Sequence, residues 1–156
     1  MAHVHEFTAH IDWTGATAGP TTDYKSYSRD YNISIEGRPV IAGSADPVFL
    51  GKGDRYNPED MLVASLSACH LLSYLALCAR KKISVTQYHD TAWGKMEMKD
   101  GALRFTEVIL RPIMTISSES DPDIARGLHT EAHKVCFIAN SVNFPVRNDP
   151  TIHVAG

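Results

Sequence analysis

Residues 57–82 read NPEDMLVASLSACHLLSYLALCARKK, and the rest of the chain is arranged around them. Asn57 is a good helix N-cap, and Pro58 suits the first helical turn, where its missing N–H would be unpaired anyway. Glu59 complements the helix dipole at the same end. Between residues 61 and 79 there is no formally charged side chain, and apolar residues cover nearly the whole circumference. Because a helix that is apolar all round is normally buried, this pattern predicts a long central helix buried in the core.

Composition places the chain among ordinary globular proteins. It has 156 residues, 44% of them hydrophobic and 21% charged, so a single domain over residues 1–156 is expected. The net charge of −3 argues against a nucleic-acid partner. The first thirteen residues contain neither a basic region nor an apolar run, and three cysteines are an odd number. We therefore expect no signal peptide, no framework of structural disulfides, and a cytoplasmic protein.

The central apolar segment is long enough to suggest a membrane span. Polar side chains dilute it, namely Ser65, Ser67, His70 and Ser73. The rest of the chain contains amphipathic elements that need an apolar surface to pack on. A core helix meets that need, so we expect no membrane partner.

The order of the elements indicates an α+β fold. Strand patterns occupy residues 3–13, 25–35, 40–44, 83–93, 103–116 and 143–155. The first three predict a small antiparallel sheet, and the turn at Asp100-Gly101 predicts a second hairpin. Asp121 and Pro122 begin a second helix that should end near residues 137–140. Strands and helices do not alternate regularly, which excludes a doubly wound sheet.

The three cysteines differ in position. Cys69 lies in the middle of the first helix, and Cys78, nine residues later, lies on its opposite side. Cys78 is interpreted as a small buried apolar group. Cys136 lies near the end of the second helix, so it can pair with Cys69 only if the two helices meet there.

Two segments carry a family resemblance. NPEDMLVASLSACH at residues 57–70 and EAHKVCFIANSVNFPV at residues 131–146 resemble the signature segments of the OsmC/Ohr family of thiol-dependent peroxidases, the osmotically inducible protein C and organic hydroperoxide resistance proteins. The resemblance covers nearly the whole chain. It implies antiparallel sheets around two long helices and an intertwined homodimer with active sites at the subunit interface.

The resemblance also implies roles for single residues. Cys69 matches the peroxidatic cysteine, and Cys136 matches the resolving cysteine that closes an intrasubunit disulfide. Glu59 matches the glutamate that holds an active-site arginine. For that arginine, Ser28-Arg29-Asp30 resembles the organic hydroperoxide branch and favours Arg29, whose strand position should point it inward; Arg55 is the alternative.

The resemblance implies reduction of organic hydroperoxides or hydrogen peroxide as the activity, in defence against oxidative stress. No cofactor is implied, and an external dithiol or lipoylated protein would act as reductant. The family often has Phe where this chain has His70. That difference concerns the substrate pocket and the subgroup.

Physical chemistry supports the same roles. A thiolate is the nucleophilic form of cysteine, and desolvation on an apolar helix disfavours it, so a nearby arginine is needed. Glu59 and Cys69 are ten residues apart, about 15 Å along one helix. The simplest arrangement therefore lets Glu59 serve the Cys69 of a partner subunit, which predicts a two-fold homodimer.

Other functions compete with peroxidase activity. His129, His133 and Cys136 have helical spacing for a zinc site, although HTEAH is not the metalloprotease pattern. The alternative for the two histidines is a solvated or hydrogen-bonded pair. His3, His5 and His10 are expected at exposed strand positions. A non-catalytic protein of the same fold could bind an apolar ligand or zinc, or act as a redox sensor.

Overall fold

The computed structural model describes residues 4–156 and shows an α+β fold, as predicted. Its helices are α1 (Pro58–Arg80) and α2 (Pro122–Val135), and its strands are β1 (His10–Asp12), β2 (Tyr31–Ser34), β3 (Ile41–Gly43), β4 (Val85–Asp90), β5 (Trp93–Lys99), β6 (Ala102–Leu110), β7 (Pro112–Ile116), β8 (Val146–Asn148) and β9 (Thr151–Val154). Short 3-10 helices occupy Thr14–Ala18, Pro47–Phe49 and Ala139–Ser141. The chain divides into two compact units between Met61 and Leu62. The single domain over residues 1–156 stays a prediction.

The first unit contains the predicted small sheet. β2 lies between β1 and β3 and pairs antiparallel with both. The first two strands are much shorter than predicted: residues 4–9 and 25–30 are not in strands, and residue 3 lies outside the described part of the chain. Asp23 accepts hydrogen bonds from the backbone of Lys25 and Ser26, so the chain turns there instead of extending. Arg29 therefore precedes β2, and its predicted strand position is wrong.

The α1 helix begins as predicted. The Asn57 side chain accepts a hydrogen bond from the Asp60 N–H at 2.7 Å, which satisfies a free donor of the first turn. The prediction of burial on all sides is wrong for the single chain. Its buried residues form one stripe at every fourth position, Leu66, His70, Tyr74 and Cys78. The remaining faces of α1 are partly or fully exposed.

By length and composition alone, α1 is the one helix in residues 4–156 that could cross a membrane. The core helix of a soluble protein satisfies the same test.

The second unit contains two three-stranded sheets, ordered β4-β7-β9 and β5-β6-β8. The hairpin of β5 and β6 turns at Asp100-Gly101 as predicted, and both residues have the positive φ that such a turn requires (51° and 78°). The predicted closing strand is two strands, β8 and β9. Each pairs parallel with its neighbour, so both sheets are mixed and not wholly antiparallel.

Both helices cover these sheets. The α2 helix is capped by Asp121, whose side chain accepts hydrogen bonds from the N–H groups of Asp123 and Ile124. One hydrophobic core joins α1, α2 and β7 through residues that include Tyr74, Met114, Leu128 and Ala132. A second core joins α1 to β6 and β8 through Leu66, Val108, Leu110 and Val146. His70 lies on the α1 stripe between these two cores.

Candidate functional site

The structure brings the Cys69 and Cys136 thiols together. Cys69 is half-exposed in the middle of α1, whereas Cys136 caps the C-terminus of α2 and is only 1% exposed. Burial raises the pKa of Cys136 to about 11, and a hydrogen bond with the Cys69 side chain acts in the same direction. The Cys136 sulfur also accepts a hydrogen bond from the Ala139 N–H. Small molecules can therefore reach the Cys69 thiol, whereas the Cys136 thiol is buried and protonated at pH 7.

The third cysteine, Cys78, is buried as predicted, and burial raises its pKa. It lies in the apolar core with Tyr74 and Met114. This environment is typical of an inert structural thiol.

Three buried side chains, His70, His129 and Met114, form a hydrogen-bonded chain between α1, α2 and β7. His70 Nε2 is 3.0 Å from His129 Nδ1, and His129 Nε2 is 3.0 Å from the Met114 sulfur. Both histidines are 1% exposed. A thioether can only accept a hydrogen bond, so His129 carries its proton on Nε2 and accepts on Nδ1 from the His70 Nε2–H. The tautomers of both rings follow from this order.

Burial keeps both histidines uncharged. It lowers the pKa of His70 to about 4, although the Asp90 carboxylate acts in the opposite direction. It lowers the pKa of His129 to about 3, with a further contribution from His70. Tyr74 stacks on His129 with the ring centroids 3.8 Å apart, and burial raises the pKa of the Tyr74 hydroxyl. The cluster is neutral at pH 7 and closely packed.

Asp90 at the end of β4 fixes α1 from another side. It accepts hydrogen bonds from the Ser67 hydroxyl at 2.5 Å and from the Arg111 N–H at 2.7 Å. Ser67 precedes Cys69 by two residues, so this carboxylate helps to hold the helix turn that carries the accessible thiol.

The partners of these histidines were not predicted from the sequence. Helical spacing groups His129 with His133, whereas His129 bonds to His70 and Met114. One sequence signal does indicate that His70 is buried. This residue follows Leu66 and precedes Tyr74 by four residues each, which places it on the buried stripe of α1.

Arg29 lies in the first unit and is held by its own segment. Its guanidinium donates to the carbonyl oxygens of Tyr24 and Tyr27 and lies over both rings, 4.9 and 4.1 Å from their centroids. These contacts orient the group, and they use only part of its five N–H donors.

Arg55, the alternative arginine, faces a carboxylate. Its Nη2 is 3.8 Å from the Asp30 side chain, which also accepts a hydrogen bond from the Lys52 ammonium. The hydrogen bond from Lys52 lowers the pKa of Asp30, and the charge of Arg55 adds to this effect. Arg55 thus shares the Asp30 carboxylate with Lys52, whereas Arg29 forms no ion pair with the residues that the structure describes, 4–156.

Glu59 is half-buried in the first turn of α1. It lies close enough to Tyr31 to raise the pKa of that phenol, after burial as the larger cause. The role of Glu59 beside an arginine stays a prediction, as do the roles of Arg29, Cys69 and Cys136.

The alternative zinc set of His129, His133 and Cys136 does not converge. Within residues 4–156, no three His, Cys, Asp or Glu side chains form a group that could hold a metal ion. His5 and His10 are exposed as expected, and His3 lies outside the described residues.

An apolar groove of about 310 Å³ adjoins the cysteine pair, lined by Leu72, Ser73, Ala76, Leu77, Arg80, Val135 and Phe137. Leu72 is 68% exposed and Phe137, directly after Cys136, is 80% exposed. Large exposed apolar side chains around one groove are typical of a surface that binds an apolar ligand or another protein.

The comparisons with known proteins agree with this architecture. A family model described as OsmC-like protein matches residues 51–149, which include both Cys69 and Cys136. A solved OsmC-like protein of unknown function from Vibrio cholerae is 32% identical, with a TM-score of 0.87 over 94% of this chain and 99% of that one. The chain therefore belongs to the OsmC/Ohr family.

More distant relatives are similar in structure or in sequence. An organic hydroperoxide resistance protein from Elizabethkingia anophelis is 20% identical, with a TM-score of 0.72 over 99% of this chain and all of that one. The uncharacterized protein YmaD of Bacillus subtilis is 21% identical over 97% of both chains. The family thus includes proteins named for hydroperoxide resistance and proteins without a named activity.

Proposed function

We propose that the protein is a thiol-dependent peroxidase that reduces organic hydroperoxides or hydrogen peroxide. The observation that carries the proposal is the pair of one accessible thiol, Cys69, and one buried thiol, Cys136, on two helices that meet at that point. A peroxide can reach the first sulfur, and the second is placed to react with the product.

The reaction needs two steps on the protein. The Cys69 thiolate attacks the outer oxygen of ROOH, the O–O bond breaks, and a proton completes the alcohol ROH; Cys69 is then a sulfenic acid, S–OH. The Cys136 thiol loses its proton to solvent, its thiolate attacks the Cys69 sulfur, and the hydroxide that leaves takes up a proton to become water. The product is an intrasubunit disulfide. An external dithiol, free or on a lipoylated protein, reduces it, and a reducing cytoplasm would supply such a partner.

The cation that this chemistry needs would come from Arg29, oriented by Glu59. Both residues belong to the first unit, and Glu59 is ten residues from Cys69 on α1, about 15 Å along the helix. We propose that Arg29 and Glu59 of one subunit serve the cysteine pair of its partner. The exposed apolar side chains around the groove support the homodimer that this requires.

The test is intact-mass analysis before and after one equivalent of cumene hydroperoxide. Wild type should lose two hydrogens, Cys136→Ser should gain one oxygen on Cys69, and Cys69→Ser should stay unchanged. Arg29→Lys and Arg55→Lys are a matched pair of variants. Only Arg29→Lys should slow the oxidation of Cys69 by the hydroperoxide. Thiols that stay reduced in wild type would contradict peroxidase activity.

A second candidate function rests on the groove. Its apolar lining, with Arg80 at one side, is suited to an apolar ligand bearing a carboxylate. A non-catalytic binding protein would bind such a ligand without oxidation of Cys69, which the same mass measurement distinguishes.

A further inference from the structure

Two hydrogen-bonded ties link α1 and α2 within the second unit. The Tyr74 hydroxyl donates to the Ala125 carbonyl at 3.1 Å, and His70 bonds to His129 at 3.0 Å. From the first bond to the second, the partner on α1 moves back by four residues (Tyr74 to His70), and the partner on α2 moves forward by four (Ala125 to His129). The helices are therefore antiparallel here, and the histidine tie is the one nearer to the cysteines.

The His129 ring is held on three sides. Its face lies against Tyr74, with an interplanar angle of 13°, one nitrogen bonds to His70 on α1, and the other bonds to Met114 on β7. A ring held in this way cannot rotate without losing a buried hydrogen bond, which is costly where water cannot replace it. At His129, these bonds fix the distance of α2 from both α1 and β7.

The cysteine pair also joins α1 to the end of α2, beyond the histidine tie along α2. Cys69 is the residue before His70, and Cys136 is two helical turns after His129. A disulfide forms only when the two Cβ atoms are about 3.5–4.5 Å apart, so a small change in helix separation alters the ease of closure.

We infer that the hydrogen-bonded chain of His70, His129 and Met114 positions α1 against α2 so that Cys69 and Cys136 can close a disulfide. These are positioning residues: they act through the helices and do not touch the peroxide. The catalytic consequence rests on the proposed peroxidase function, whereas the effect on the thiol–disulfide equilibrium does not.

A wholly apolar contact would hold the helices less specifically. Apolar side chains slide and repack at small cost, whereas a buried polar chain with every partner in place favours one arrangement. The hydrogen-bonded chain of His70, His129 and Met114 transfers no proton during closure, because the Cys136 proton passes to solvent and both histidines stay neutral.

The test is the equilibrium of the Cys69–Cys136 disulfide with reduced and oxidised glutathione in wild type, His129→Phe, Met114→Leu and Tyr74→Phe. His129→Phe keeps an aromatic ring but loses both hydrogen bonds. We expect its disulfide to be less favoured by about tenfold or more, since a misplacement of about 1 Å can cost far more than this. Met114→Leu conserves volume and frees only one side of the ring, so a smaller shift in the same direction is expected.

Tyr74→Phe is the control, because it removes a buried hydrogen bond between the same helices one turn further from the cysteines. It should stay within about twofold of wild type. A loss of stability common to the reduced and oxidised forms cancels in this equilibrium, so a merely structural role would not shift it. Equal shifts in Tyr74→Phe and His129→Phe, or no shift in either His129→Phe or Met114→Leu, would overturn the inference.

The reaction of Cys69 with cumene hydroperoxide, measured in a Cys136→Ser background, separates this inference from the proposed function. His129→Phe should leave that rate unchanged while it slows disulfide closure in the two-cysteine protein. If wild type does not react with peroxide but the glutathione equilibrium shifts as expected, the peroxidase proposal fails and the positioning inference stands. If wild type reacts rapidly with peroxide but His129→Phe and Met114→Leu do not shift the glutathione equilibrium, the peroxidase proposal stands and the positioning inference fails.

Discussion

The Cys136 thiol is buried against α1, and burial controls when it can react. Its pKa is raised to about 11, so only a small fraction, about one in 10⁴, is thiolate at pH 7. Because a raised pKa keeps the proton on sulfur to higher pH, closure of the disulfide should speed up by about tenfold per pH unit between about pH 7 and pH 10. Single-turnover measurement of disulfide formation after a peroxide pulse tests this. A closure rate independent of pH would contradict thiolate attack by Cys136.

The two buried histidines make a separate prediction about stability. In the unfolded chain they gain protons near pH 6.5, whereas in the folded chain they do so only near pH 4 and pH 3. Protons therefore bind preferentially to the unfolded state as the pH falls, and the free energy of unfolding should drop by roughly 2 kcal/mol for each histidine between pH 7 and pH 5. Urea unfolding at the two pH values measures it.

The control is the double variant His70→Leu/His129→Leu, which removes both hydrogen-bonding partners together and so leaves neither unpaired. Its stability should depend much less on pH over the same range. The same slope in wild type and in the double variant would show that other groups are responsible.

At the scale of elements, two glycines with open space around them respond oppositely to the same substitution. A Cβ added at Gly127 in α2 or at Gly101 in the β5–β6 turn meets no atom within 4 Å, but only Gly101 has a positive φ (78°). Gly127→Ala should stabilise the protein by about 0.5–1 kcal/mol, because alanine restricts the unfolded chain and favours the helix.

Gly101→Ala should destabilise by about 1 kcal/mol, because alanine resists the left-handed conformation. Denaturant midpoints of the two variants and wild type test both signs. A loss of stability in Gly127→Ala would mean that the open space beside α2 is occupied in the assembled protein.

At the scale of the whole molecule, the exposed apolar side of α1 is the feature that a single chain leaves unexplained. Only one stripe of this apolar helix is buried, and Leu72 lies on the open side. We expect a homodimer at micromolar concentration, dissociated by Leu72→Glu because a charge would be buried without a partner.

Sedimentation equilibrium measures the assembly, and Met98→Glu is the matched control. Met98 is 70% exposed on β5, and a glutamate there should leave the dimer intact. A monomeric wild type would remove the basis for an active site shared between subunits.

Local sequence signals determined the elements of this protein. Asn57 and Asp121 mark the helix starts because their side chains satisfy N–H groups that no other residue of the helix can pair with. Asp100-Gly101 marks a turn because those residues accept positive φ at low cost. The two cysteine segments also identified the family, which the comparisons confirm.

The contacts between these elements depend on the tertiary structure. Residues 25–30 alternate like a strand, but the side chain and the carbonyl oxygen of Asp23 accept hydrogen bonds that turn the chain, so Arg29 lies outside β2. The sequence predicted α1 but not its single buried stripe, since burial depends on neighbours and not on composition. His70 and His129 are 59 residues apart, and no local pattern predicts that they pair. The packing of α1, α2 and β7 decides which histidines come into contact.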